Sequence, residues 1–200
     1  MATKLSKAPR VAPRAETAQD ILALTIGANR IASNTPDANG YELRNEVLER
    51  ARKHRIAYEN GKTKEAYSAE LLFADAVRKG NYRRTLARKI DKEAGAARPV
   101  AVCAHHVVAS QDTRANHSRT RIFACGIGIN DVDNDVYLPR FKNVAVPSLP
   151  NAPLHGPIYA ERYHVAVFAR LLQAPADDQV ATRVAMKDMK ADLIDGVFPF

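Results

Sequence analysis

Tryptophan is missing from the chain, cysteine occurs twice, and aromatic residues of any kind are scarce in its 200 positions. The shortage of large rings points to helices packed through Ala, Leu, Ile and Val. Two cysteines, Cys103 and Cys125, are too few for the disulfide framework of a small secreted domain. Their spacing fits no familiar zinc pattern, so they read as buried free thiols. No apolar stretch is long enough to span a bilayer, which argues against membrane insertion. The N-terminus is basic (Lys4, Lys7, Arg10, Arg14) but no apolar run follows. A secretory signal peptide is therefore not expected, and any export would use another route. Acidic residues are also in short supply, 22 against 30 Lys and Arg, for a net charge of +8. Such a balance favours acidic partners: nucleic acid, an anionic membrane surface or an acidic protein. Composition alone does not choose among them.

What is present is enough apolar residue for a real core, 46% of the chain, in one ordinary domain or a small domain with an accessory segment. Residues 1–15, with Pro9, Pro13 and scattered bases, read as a flexible arm. Residues 16–95 read as a helical segment. A stripe of Ile21, Leu22, Leu24, Ile26 and Ile31 gives a first helix, and Tyr41 to Glu59 a second, stopped by Asn60-Gly61. Thr63 to Lys79 gives a third. About Asn81 to Ala94 gives a fourth, strongly basic helix whose Arg83, Arg84 and Arg88 form either a solvated face or a phosphate-contacting one.

After Gly95-Ala96-Ala97-Arg98-Pro99 the pattern changes. Pro99 to Ala104 is a short, β-branched apolar run ending in His105-His106, a buried strand with two imidazoles at its end. Neighbours on a strand point to opposite faces, so one histidine can face a metal ion while the other faces water or substrate. An arginine-rich helix is expected from Thr113 to Cys125, carrying Arg114, Arg119 and Arg121. A polar turn, Ile129 to Asn134, precedes a short strand, Val136 to Pro139. A Pro-rich loop leads to His155-Gly156-Pro157 and a helix to about Gln173, with Pro157 suited to its first turn. The last helix runs from Val180 to Ile194, so residues 174–200 form a C-terminal helix and tail. His54 and His117 sit among basic residues; His54 reads as a solvated face and His117 as a surface or phosphate contact.

The order of a His-His strand, an Asn-bearing turn, a second strand and a helix with its own histidines suits a ββα unit folded around one ion. Three stretches carry a specific likeness: Ala104-His105-His106-Val107-Val108-Ala109, Gly128-Ile129-Asn130-Asp131 through Asn134 to Val136-Tyr137-Leu138-Pro139, and Leu154-His155 with the Tyr163 region. Over residues 99–173 the chain resembles the AHH family of toxin nucleases, a branch of the HNH, or His-Me finger, superfamily. The resemblance implies an α+β, mostly helical fold: an N-terminal helical segment, a ββα-metal nuclease core over residues 96–173, and a C-terminal helix.

It also implies a metal-dependent endonuclease hydrolysing phosphodiester bonds, with His106 as general base and His105 as first metal ligand. Asn134 would hold the His106 loop or ring in register, and His155 would be the second ligand. Many relatives carry a further histidine four residues on, where this chain has Tyr159. His164 is the nearest substitute, provided the helix starts late, and Glu161 is another candidate. Arg83, Arg84, Arg88, Arg114, Arg119 and Arg121 are candidate nucleic-acid contacts. The cofactor would be one divalent ion (Mg²⁺, Zn²⁺, Ni²⁺ or Mn²⁺). The substrate would be DNA, with RNA as the alternative. A second reading is a basic binding protein that keeps the fold without catalysis. The toxin reading implies synthesis in a bacterial cytoplasm, a specialised delivery route, an acidic immunity protein, and a secretion adaptor met by the N-terminal helices.

Overall fold

The computed structural model describes residues 56–64, 66, 68–76, 82–95 and 97–200. The expected arm, the first helix, most of the second, and His54 lie outside the described residues. Within them the fold is α+β, as expected. Strands β1 (Tyr58–Glu59) and β2 (Lys62–Thr63) form a small hairpin. Helices α1 (Ser68–Ala76) and α2 (Tyr82–Ala94) follow, then β3 (Val102–His106), α3 (Asn116–Ala124), β4 (Asp135–Pro139), α4 (Glu161–Leu172) and α5 (Gln179–Ile194). No described helix is long and apolar enough to cross a membrane.

The first hairpin corrects two expectations. Tyr58 and Glu59 do not end a helix, and Thr63 does not begin one. Asn60 and Gly61 both have positive φ, 48° and 80°, which makes Asn-Gly the two-residue turn that right-twisted hairpins require. The hairpin then docks on the polar turn after α3. Val132 donates its N–H to the Gly61 carbonyl at 3.0 Å, and a Cβ on Gly61 would stand 3.0 Å from the Val132 Cβ. Thr63 donates both its N–H and its hydroxyl to Asp131 Oδ2, at 2.6 and 2.7 Å.

That aspartate is wholly buried and anchors the centre of the molecule. Arg183 of α5 forks onto both its oxygens at 2.8 and 2.9 Å and reaches Asp133 at 2.6 Å. A charge-assisted, forked pair is the arrangement in which buried carboxylates are tolerated. Through it, hairpin, turn and C-terminal helix are tied at one point.

β3 and β4 pair antiparallel, with Val102 opposite Pro139, His105 opposite Val136 and His106 opposite Asp135. One face of this ribbon, with Val136 and Leu138, lies on the main core, where Ile122, Phe123, Tyr163, Leu171, Met186, Met189 and Leu193 are buried. Burying each such side chain stabilises the fold by roughly 1.5–3 kcal/mol. The other face carries Ala104 and Tyr137 against Leu86, Ala87 and Ile90 of α2.

The helix expected from Pro157 instead begins at Glu161. Ala160, just before it, is extended at φ −77° and ψ 166°. Tyr159 is turned inward there, donating its hydroxyl to the His106 carbonyl at 3.0 Å, and a helical start at Pro157 would not carry that backbone. His155 therefore projects from a loop.

Candidate active site

Strand alternation sends the two histidines of β3 to opposite faces. His105, 1% exposed, goes to the α4 side. Its ring stacks on Tyr159 (centroids 4.7 Å apart) and meets His155 edge-on at 5.3 Å. Its Nε2 lies 3.1 Å from the Tyr163 hydroxyl. That hydroxyl donates its only hydrogen to the Val107 carbonyl at 2.8 Å, so toward His105 it can only accept. Nε2 must then carry the ring proton, and Nδ1 is left with a lone pair. Nδ1 is buried and has no hydrogen-bond partner. Burial first, then the neighbouring His155, His106 and His164, push the ring's pKa well below the usual range. The imidazole is neutral, the form that ligates a metal.

His155 N–H donates to the Pro139 carbonyl at 2.9 Å, which fixes the backbone beneath that ring beside β4. His164 acts on His105 through its charge but meets Tyr159 rather than the His105 ring. It stacks on Tyr159 with centroids 5.6 Å apart and planes 8° from parallel. Its Nε2 is 3.2 Å from Asp112 Oδ2, off the line a hydrogen bond needs. Burial lowers its pKa, with Asp112 opposing. Asp112 is in turn held far below the usual carboxylate range by Arg114, which bonds both its oxygens. Glu161 lies exposed at the first turn of α4. Among the described residues no three His, Cys, Asp or Glu side chains gather closely enough to hold a metal ion. What the sequence places at the ligand position, Tyr159, braces the His106 carbonyl instead.

On the α2 side, His106 Nε2 lies 3.2 Å from Asn130 Oδ1. Lys89 of α2 donates to the Asn130 carbonyl and lies over the Tyr58 ring. Burial pulls its pKa down to about 8, with Asp135 and Asp131 opposing. Asn134, wholly buried, accepts the Val108 N–H at 2.7 Å and donates to the Val108 and Ile129 carbonyls. Val107 N–H bonds the Asn134 carbonyl at 2.8 Å. Asn134 thus clamps the turn after β3, while the contact to the His106 ring comes from Asn130. Asp135, directly across from His106, is 1% exposed with neither carboxylate oxygen hydrogen-bonded. Burial pushes its carboxyl well above the usual range.

The arginines divide. Arg84 and Arg88 are exposed on α2, which also carries Arg83. Arg119 is spent inside, on the Ala109 and Asp112 carbonyls and Asn116. Arg121 donates to the Leu171 and Ala174 carbonyls, and Arg114 to Asp112 and the Tyr159 carbonyl. The last three hold the α3–α4 region together. Asn130, Asp112 and Asp135 are site neighbours that sequence reasoning did not single out. Only Asn130 left a signal, inside the Gly128-Ile129-Asn130-Asp131 stretch.

The model of a nuclease family of the HNH/ENDO VII superfamily with conserved AHH matches residues 86–194. No curated protein and no solved structure matches. The matched span is more than half of the chain and contains Ala104-His105-His106 with every group assembled around it. The chain belongs to the AHH family, nucleases of the HNH/ENDO VII superfamily.

Proposed function

We propose that this nuclease is a metal-dependent endonuclease acting on DNA, with His106 as general base and His105 and His155 holding one divalent cation. The observation that carries this reading is the buried, unpartnered Nδ1 of a neutral His105 beside the His155 ring. A buried polar atom without a partner costs about 1–3 kcal/mol, and a cation there would use the lone pair. Two imidazoles suit Zn²⁺ or Ni²⁺ better than Mg²⁺ or Mn²⁺, which favour oxygen ligands. When bound, such an ion supplies charge neutralisation at the phosphate and eases departure of the leaving oxygen.

The chain's own residues do the rest. His106 takes the proton of the attacking water. Asn130 restrains its ring, and Tyr159 and Asn134 fix the backbone on either side of it. The +8 charge supports a polyanionic substrate. The same charge supports an acidic immunity protein, and with the AHH resemblance it supports an antibacterial toxin delivered by a specialised route.

A plasmid-nicking assay tests the catalytic part. Cleavage with Mn²⁺, Ni²⁺, Zn²⁺ or Mg²⁺ should stop with EDTA. It should fall by about 10²–10⁴-fold in His106→Ala, the usual worth of a general base. Full activity in that variant, or in EDTA, overturns the mechanism. Cleavage of RNA but not DNA overturns the substrate alone.

A further inference from the structure

Between β4 and the candidate ligand His155 the chain makes a long excursion, residues 140–154. Its two ends meet: His155 donates its N–H to the Pro139 carbonyl. Within the loop Val146 and Leu149 are buried, and Leu149 N–H bonds the Val146 carbonyl at 2.8 Å. The loop is also met by the C-terminal tail. At Gly196, with φ +72°, an added Cβ would stand 2.3 Å from the Asn151 carbonyl oxygen. A surface loop of this length whose ends meet is a common carrier of function.

Its outer rim is Arg140-Phe141-Lys142-Asn143-Val144, exposed throughout. Phe141 and Val144 are 49% and 44% exposed. The Arg140 guanidinium lies 4.9 Å above the Phe141 ring. Arg140 and Lys142 flank the exposed Phe141 ring, and two cations set beside an exposed ring favour an acidic partner. Alternating cations and apolar wedges match a nucleic acid, whose phosphates take the charges and whose base steps take the wedge. Position agrees. Arg140 is four residues beyond Val136, the strand partner of His105, or roughly 13 Å along the strand. That is about four steps of a nucleic-acid strand at 3.4 Å.

We propose that this rim grips duplex nucleic acid a few nucleotides from the cleaved bond, Arg140 and Lys142 on phosphates and Phe141 wedged against the bases. The inference rests on the nuclease reading for its choice of partner. It gives the chain a substrate contact apart from Arg83, Arg84, Arg88, Arg114, Arg119 and Arg121, of which Arg119 and Arg121 are turned to backbone carbonyls.

Binding of the full-length chain to a labelled DNA duplex, measured by fluorescence anisotropy in EDTA over about 50–200 mM salt, provides the test. Arg140→Gln with Lys142→Gln should lower the slope of log affinity against log salt by about 1.8, two phosphates at 0.9 each. Phe141→Ala should weaken binding about 5–10-fold, the low end for losing one base stack, with the slope unchanged. Unaltered thermal melting would show that these exposed changes leave the fold intact. Unchanged affinity and slope in both variants overturns the proposal, as does a wild type that binds no duplex. Wild-type cleavage measured alongside separates the two readings. Cleavage with loop variants that bind normally sinks only the loop. Loop-dependent binding without cleavage in any metal sinks only the catalytic reading.

Discussion

Asp135 stands across the ribbon from His106 with both carboxylate oxygens buried and unpartnered. In the folded state its pKa is raised by burial, so the native protein binds this proton more tightly than the unfolded chain. Stability from this group is therefore intact below the unfolded value, about 3.9, and is lost as pH rises from there through the folded value. Asp135→Asn removes the charge at nearly constant shape. It should raise stability at neutral pH by at least about 1.4 kcal/mol, the worth of one pKa unit, with the gain vanishing near pH 3. Urea unfolding of both proteins at the two pH values checks this; a variant that is less stable at neutral pH would mean that the carboxylate has a partner after all. At this scale the sequence was readable where chemistry is local. His105 and His106 announce themselves as adjacent imidazoles at a strand end. Asp135 did not, because its oddity lies in what fails to surround it.

At the scale of elements, α5 is fastened to the turn before β4 by Arg183 on Asp131 and Asp133. Both acids are within 1% of full burial, and the arginine side chain is 13% exposed. Arg183→Met would leave two buried carboxylates without their counter-ion. It should cost about 3–5 kcal/mol, and the loss should shrink in acid, as Asp131, whose carboxyl Arg183 and Thr63 hold below the usual range against burial, takes up a proton. A thermal melt within a degree or two of wild type would contradict this. α2, β3, β4, α3 and α5 were legible from apolar periodicity and caps such as Asp178, which accepts the Ala181 N–H at 2.9 Å. The hairpin at Asn60-Gly61 was not, because a helix stop and a hairpin turn use the same left-handed residues. The late start of α4 was not either, since Pro157 suits a first turn equally well as a loop; only the inward Tyr159 decides it.

For the whole molecule, a surplus of eight positive charges proved a poor guide to which cations face solvent. Charge counts are blind to pairing: of the six expected contact arginines, Arg119 and Arg121 are half-buried on backbone carbonyls, while Arg114 pairs with Asp112 at the surface. The family, by contrast, was legible because its motif is an ordered set of residue types that fold around one point. His105, with the His155 ring beside it, and His106 lie on opposite faces of one ribbon at the end of β3, where the proposed reading puts the metal on one face and the base on the other. Removing either function should therefore leave the other in place.

Titrating Zn²⁺ or Ni²⁺ into wild type, His105→Ala and His106→Ala by calorimetry, with plasmid cleavage measured on the same samples, tests that separation most directly. His106→Ala should bind metal as tightly as wild type yet not cleave, and His105→Ala should lose at least about tenfold in metal affinity together with cleavage. Equal metal affinity in wild type and His105→Ala, or full cleavage by His106→Ala, would contradict it.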